Sequence, residues 1–291
     1  KHGEKKMRSR ARIKFMIEKM GMEQFKQKVL EERQNLEHDP CWTDYLEGID
    51  SWQEVPLHPA GEPLSANDDP RFNQWQSENL RQQRQEGYVT ATVTLPLGDL
   101  APYQMRGLAD IVRQFTKGTV RSTVEQNLVI RWVSNADVPA LYQALGEIGL
   151  NEAGASCITD IVACPGTDTC KLGISSSRGL AAELRNRLER KGFELDEAIR
   201  NLHIKISGCF NSCGQHHVSD IGFYGANRTV KGFKVPHFQV VLGGQWEENG
   251  GSYGLPIVAI PSKRVPDALE RITDLYVRTR ESGEVFTKFV G

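Results

Sequence analysis

Two uneven cysteine pairs carry most of the chemistry this chain can do. "ACPGTDTCKLG" (163–173) holds Cys164 and Cys170, and "GCFNSCGQHH" (208–217) holds Cys209 and Cys213. The pattern is C-x5-C, a long gap, then C-x3-C. Structural zinc sites usually rest on C-x2-4-C knuckles, where short spacing turns both thiolates toward one ion. The step from Cys164 to Cys170 is loose for that purpose. A [4Fe–4S] cluster suits it better, because it presents four corners to be gripped by thiolates from different directions. Pro165 and Gly166 follow the first cysteine, and Gly208 and Gly214 bracket the second pair. Glycine permits tight turns and close approach of the main chain to a bulky group. Such turns also aim N–H groups at cluster sulfurs, which raises the reduction potential. The two remaining cysteines, Cys41 and Cys157, have a blander expectation as buried structural thiols. A zinc-binding structural domain is the weaker alternative for the whole constellation.

The totals agree with a soluble redox protein and exclude several other classes. The 291 residues suffice for one large domain or two ordinary ones. Clustered cysteines without a disulfide-scaffold distribution point to a reducing compartment, hence a cytoplasmic location. The formal net charge of −1 says nothing about partners. No apolar run approaches the roughly 18 residues of a membrane span. The basic N-terminus lacks the apolar core of a secretory signal. Its positive charge is either a solvated helix face or a site for an anionic cofactor or acidic partner; no aromatic or Gly-rich pattern accompanies it, so nucleic acid is not expected.

The elements that must position the cysteines read as an α+β protein. Residues 1–36 form a helical segment, with Ile13, Phe15, Met16, Met20, Phe25, Val29 and Leu30 at helical spacing and a break near Gly21. Residues 37–86 are polar and Pro-rich and read as an extended linker, whose Trp42, Trp52 and Trp75 argue for docking on a surface. Residues 87–150 follow the order strand, helix, two short strands meeting near Glu125 and Gln126, helix: a ferredoxin-like half-domain. Residues 151–291 hold the cysteines, a helix preceded by a serine run that offers an N-cap, several strands including "HIKISG" and "HFQVVLGG", and a last long helix.

"ACPGTDTC" and "GCFNSCGQHHVSDIGFYG" closely resemble the cluster-and-sirohaem motif of nitrite and sulfite reductases. "YVTATVTLPLGDL" to "VRSTVEQNLVIRWV" looks like the family's second ferredoxin-like half-domain, and "RSRARIKFMIEKMGMEQFKQKV" like the helical segment closing its first half. The resemblance implies that Cys164, Cys170 and Cys209 bind a [4Fe–4S] cluster, and that Cys213 binds the cluster and bridges to sirohaem iron. It makes 151–291 a [4Fe–4S]- and sirohaem-binding domain. Arg121, Gln126 and Asn127 then resemble the strand facing the macrocycle, where an Arg would meet carboxylates; the alternative is a surface Arg. Asn211 and Gln215 would bond cluster sulfurs or sirohaem carboxylates, or be turn residues satisfying their own backbone. His216 and His217 are expected in structural or supporting roles, and Lys171 and Lys205 near acidic groups of a cofactor or donor.

The implied function is the six-electron reduction of nitrite to ammonia, slightly favoured by "NSCGQ" followed by "DIGF", or of sulfite to sulfide. The electron donor would be ferredoxin or a reductase subunit. Family members are pseudo-duplicated, so their first half, with the basic residues that bind the anion, is expected before Lys1 and is absent here, unless another chain supplies it. The competing reading is an isolated [4Fe–4S] electron-transfer module without catalysis.

Overall fold

The computed structural model describes all residues except 1, 8, 9, 45, 50–52, 192–194 and 247–250. It divides into two units, residues 1–54 and 55–291. In the first, α1 (Ile13–Met20) and α2 (Met22–Gln34) meet at Gly21, where the sequence placed the break. Its φ of 81° is left-handed, a conformation that costs glycine nothing sterically. Residues 8 and 9 of the expected helical stretch lie outside the described residues. Neither helix buries a residue. The short α3 (Cys41–Asp44) follows. Cys41 is exposed, against the expectation of a buried thiol. Trp42 is 54% exposed; Trp52 lies outside the described residues.

The second unit begins inside the stretch expected to be an extended linker, and there the structure differs. α4 (Pro70–Asn79) runs directly into β1 (Leu80–Gln82). Asp69 caps α4 by accepting from the Arg71 N–H at 2.9 Å, and Pro70 occupies the first helical position, both strong start signals. The helix buries Phe72 and Trp75 against Tyr142, with ring centroids 5.2 and 5.1 Å away. Most of its other residues are polar, which hides the apolar period from a sequence reading. Trp75, fully buried, does dock as expected.

β1 joins a four-stranded antiparallel sheet of order β1-β2-β4-β3, with β2 Tyr88–Val93, β3 Val120–Ser122 and β4 Leu128–Ser134. α5 (Pro102–Phe115) connects β2 to β3, and α6 (Val138–Glu147) follows β4. This is the ferredoxin-like arrangement, its fourth strand supplied by β1 from upstream. Leu108, Val112, Leu141 and Leu145 cover the sheet and join one core with Val89, Ala91 and Ile130.

The second sheet has the order β5-β6-β7-β8-β9. β5 (Val162–Ala163), β6 (Ile204–Ser207) and β7 (Ile221–Val230) are parallel; β8 (Phe233–Leu242) and β9 (Leu255–Pro261) extend it antiparallel. α7 (Ser177–Lys191) is the crossover from β5 to β6, and the one-turn α8 (Glu197–Arg200) leads into β6. α9 (Val265–Thr279) and the short α10 (Phe286–Val290) complete the unit. Leu180, Leu184 and Leu188 of α7 and Leu269 and Tyr276 of α9 bury Ile204, Ile206, Ile221 and Phe223. Alternation then turns Lys205 and Ser207 to the opposite face of β6. Among the described residues no helix is long and apolar enough to cross a membrane.

Candidate functional site

The topology explains how cysteines so far apart in sequence meet. Cys164 leaves the end of β5, and Gly208 and Cys209 leave the end of β6. These strands are parallel neighbours, with Ala163 opposite Ile206, so their carboxyl ends lie side by side. That edge is where open α/β sheets place their ligands. The ladder runs one step into the loop: Cys164 N–H donates to Ile206 O at 3.1 Å. The Gly208 N–H then donates to Cys164 Sγ at 3.1 Å, tying the two cysteine loops directly.

Glycine makes this approach possible. A Cβ on Gly208 would fall 2.6 Å from the Gly166 Cα, and Gly166 itself has φ +55°. The main chains of the two loops touch with no side chain between them. Ile174 and Ser175 N–H groups both donate to Gly208 O, at 2.8 and 3.0 Å, closing the first loop over the second.

The serine run preceding α7 divides its labour. Ser176 caps the helix, its Oγ accepting from Gly179 N–H at 3.3 Å. Ser177, fully buried, donates to the Cys164 carbonyl at 2.7 Å, and its Oγ lies 3.6 Å from Cys164 Sγ. Ser175 Oγ lies 3.2 and 3.0 Å from the Ala226 and His237 carbonyls on β7 and β8. The sequence offered a cap; it gave no sign that the next hydroxyl grips a cysteine. Arg178 adds a brace: it donates to Asp168 in the first loop at 3.1 Å, to Leu97 O at 2.8 Å and to Asp99, joining the loop to the ferredoxin-like layer. Hydrogen bonding to Asp99 raises its already high pKa.

Three of the four sulfurs accept N–H bonds. Besides Cys164, Cys170 Sγ accepts from Leu172 N–H at 3.4 Å, and Cys209 Sγ from the Asn211 Nδ2 at 3.4 Å. Cys213 is exposed, and its sulfur accepts no hydrogen bond from any described residue. Each loop thus pairs a buried cysteine with an exposed one: Cys164 with Cys170, Cys209 with Cys213. Among the described residues no three His, Cys, Asp or Glu side chains converge on the position of a single metal ion. A cluster asks for thiolates at separate corners instead. The loops fit such a group: glycine-lined backbone lies beside the sulfurs, and N–H groups are aimed at them.

The other sequence-predicted residues scatter. Asn211 and Gln215 lie in the second loop, as expected. Gln126 turns its amide to the backbone before Cys164, donating to Ala163 O at 3.0 Å and accepting from Ala163 N–H at 3.1 Å. Asn127 is 2% exposed; it accepts from Leu95 N–H at 2.9 Å and donates to Asp160 at 2.8 Å. The amides of both are engaged inside the protein, joining the ferredoxin-like layer to the cysteine sheet. Arg121 is exposed on the edge strand β3. Lys171 is exposed. His216 is fully buried, its Nδ1 2.8 Å from Ser207 Oγ, in the structural role expected. Cys157 is buried and its thiol is pushed up to about 12 by desolvation, a structural thiol as anticipated.

A mixed sheet with two glycine-packed cysteine loops at the ends of its parallel strands, beside a ferredoxin-like layer, defines an iron–sulfur redox protein. Residues 81–148 match the nitrite/sulfite reductase ferredoxin-like half domain, and residues 154–290 match the nitrite and sulphite reductase 4Fe-4S domain. The chain belongs to the nitrite and sulfite reductase family, whose cofactors are the [4Fe–4S] cluster and sirohaem. It is 27% identical over 292 residues to a sulfite reductase (ferredoxin) of Mycolicibacterium paratuberculosis, covering 99% of this chain and 48% of the relative. It is 25% identical over 295 residues to an assimilatory ferredoxin-dependent nitrite reductase of Haloferax mediterranei, covering 99% and 47%. The solved structure of the Mycobacterium tuberculosis NirA protein superposes with a TM-score of 0.68 at 27% identity, covering 99% of this chain and 49% of that one. The chain therefore spans about half the length of the relatives it matches.

Proposed function

We propose that this chain is the cluster-bearing portion of a sirohaem-dependent reductase acting on nitrite, slightly favoured, or sulfite. Cys164, Cys170, Cys209 and Cys213 hold the [4Fe–4S] cluster, and Cys213 also ligates sirohaem iron. The observation that carries this reading is the contrast among the sulfurs. Three accept an N–H donor, whereas Cys213 is exposed with no donor among the described residues. A thiolate that serves two metal centres needs its lone pairs open.

The bound cofactors supply single-electron delivery and an iron site for the anion, six electrons completing the reduction to ammonia or sulfide. This chain's residues prepare that chemistry. The Gly208, Leu172 and Asn211 N–H donors stabilise thiolate charge and favour reduction. Ser177 fixes the Cys164 backbone. Arg121, exposed on β3, would meet macrocycle carboxylates. Both named relatives carry ferredoxin in their names, which supports ferredoxin as donor. The remainder of the anion pocket comes from sequence outside these residues or from a partner chain.

An absorption spectrum of the anaerobically purified protein tests the reading. Sirohaem bands with a broad cluster shoulder support it. A cluster shoulder alone identifies an electron-transfer module instead. Neither feature overturns both.

A further inference from the structure

The chain just after Cys213 is held by two residues of β6 that face away from the helices. Cys213 and Gly214 are the central residues of a turn closed by Gln215 N–H donating to Ser212 O at 2.9 Å. Ser212 and Gln215, at its two ends, both have φ +60°, a strained conformation for residues with side chains. Gly214 N–H donates to Ser207 Oγ at 3.0 Å, so the foot of the turn is tied to β6. Lys205, two residues earlier on the same face, donates from Nζ to Gln215 Oε1 at 2.9 Å.

Lys205 is an unusual residue to find there. It is 2% exposed, and its ammonium lies 4.3 Å from the centre of the Trp246 ring. Among the described residues it has no carboxylate within ion-pair distance. Desolvation draws its pKa down, with a modest opposing contribution from Glu125. Among the described residues the support for this buried cation is an amide oxygen and an aromatic face, which compensate poorly for desolvation. A [4Fe–4S] cluster with four thiolates carries net negative charge, and it belongs at the other end of the turn that Lys205 holds.

Building on the proposed cluster site, we infer that Lys205 is a charge-balancing residue for the cluster, its ammonium held beside the Cys213 turn by Gln215 and favouring the reduced state. Removing a unit charge buried near the cluster is expected to change the ratio of reduced to oxidised cluster on the order of tenfold. For one electron that is about 59 mV.

The experiment is an anaerobic redox titration of the cluster-loaded holoprotein, followed by the electron paramagnetic resonance of the reduced cluster, with iron content measured in parallel. Lys205→Met and Lys205→Gln should hold their iron and show about tenfold less reduced cluster at fixed potential. Lys205→Arg keeps the charge and should stay within about threefold of the parent. If the neutral variants titrate with the parent, the inference is overturned. Iron loss in both neutral variants with the fold intact would make Lys205 a structural prop and overturn it too. A parent protein that takes up no cluster is a different outcome: it defeats the proposed function itself.

Discussion

The two cysteine loops are built alike and finished differently. Each begins at the carboxyl end of a parallel strand with a buried cysteine, and each ends with an exposed one. The first loop is braced from several sides: Ser177 holds the Cys164 carbonyl, Arg178 holds Asp168, and both its sulfurs accept N–H donors. The second loop keeps a donor at Cys209 and then leaves Cys213 bare, on a turn held from beneath by Ser207 and Lys205. Under the proposed function, shared construction would serve a shared cluster, and the difference would mark which sulfur faces outward to a second centre. A symmetrical structural metal site would have no use for it.

Removing the sulfurs should break the comparison most severely. Cys213→Ser is expected to disturb both cluster and sirohaem absorption, whereas Cys164→Ser should chiefly remove the cluster features. Identical loss patterns in anaerobic spectra would erase the distinction between the loops. Next comes Gly208→Ala, which drives a methyl into the Gly166 backbone. Overpacking of this kind costs about 1–3 kcal/mol, and here it also pries the loops apart. Iron content should fall along with a Tm drop of roughly 2–4 °C per kcal/mol; retained iron at parental Tm would show that the close approach is dispensable.

Smaller effects probe the bracing of the first loop. Ser177→Ala strips the buried Cys164 carbonyl of its donor, a loss of about 1–3 kcal/mol. Its cluster should bleach faster in air than the parent's, while Ser176→Ala, which touches only the helix cap, should bleach at the parental rate. Gln126→Ala removes two hydrogen bonds to Ala163, worth about 0.5–1.5 kcal/mol each; denaturant unfolding should report the loss with the spectrum preserved. Smallest is Cys157→Ala. Its thiol is neutral in the fold to about 12, against a reference of 9.0. Its contribution to stability is therefore complete below pH 9 and lost as pH rises from 9 toward 12, where the unfolded thiol has ionised. The difference in Tm between parent and Cys157→Ala should shrink or reverse over that window and stay constant below it.

Much of this was legible in the sequence because it resides in residue types. The four cysteines, their glycines, the break at Gly21 and the ferredoxin-like order of strands and helices all announce themselves locally. What was hidden depends on side-chain direction. α4 was lost in a polar stretch because only Phe72 and Trp75 mark its buried face, although Asp69 and Pro70 signalled its start. Gln126 and Asn127 stand beside the site as expected, yet their amides turn inward to the Ala163 backbone and to Asp160. Nothing in "SSSR" distinguishes the serine that caps a helix from the one that holds a cysteine. Lys205 looks like an ordinary strand lysine until β6 is seen buried on both faces.

The metal content of the anaerobically purified protein tests the central claim most directly. The account predicts acid-labile sulfide near four per chain, with iron near four for the cluster and near five when sirohaem is also bound. Colourless protein carrying stoichiometric zinc and no sulfide would contradict it.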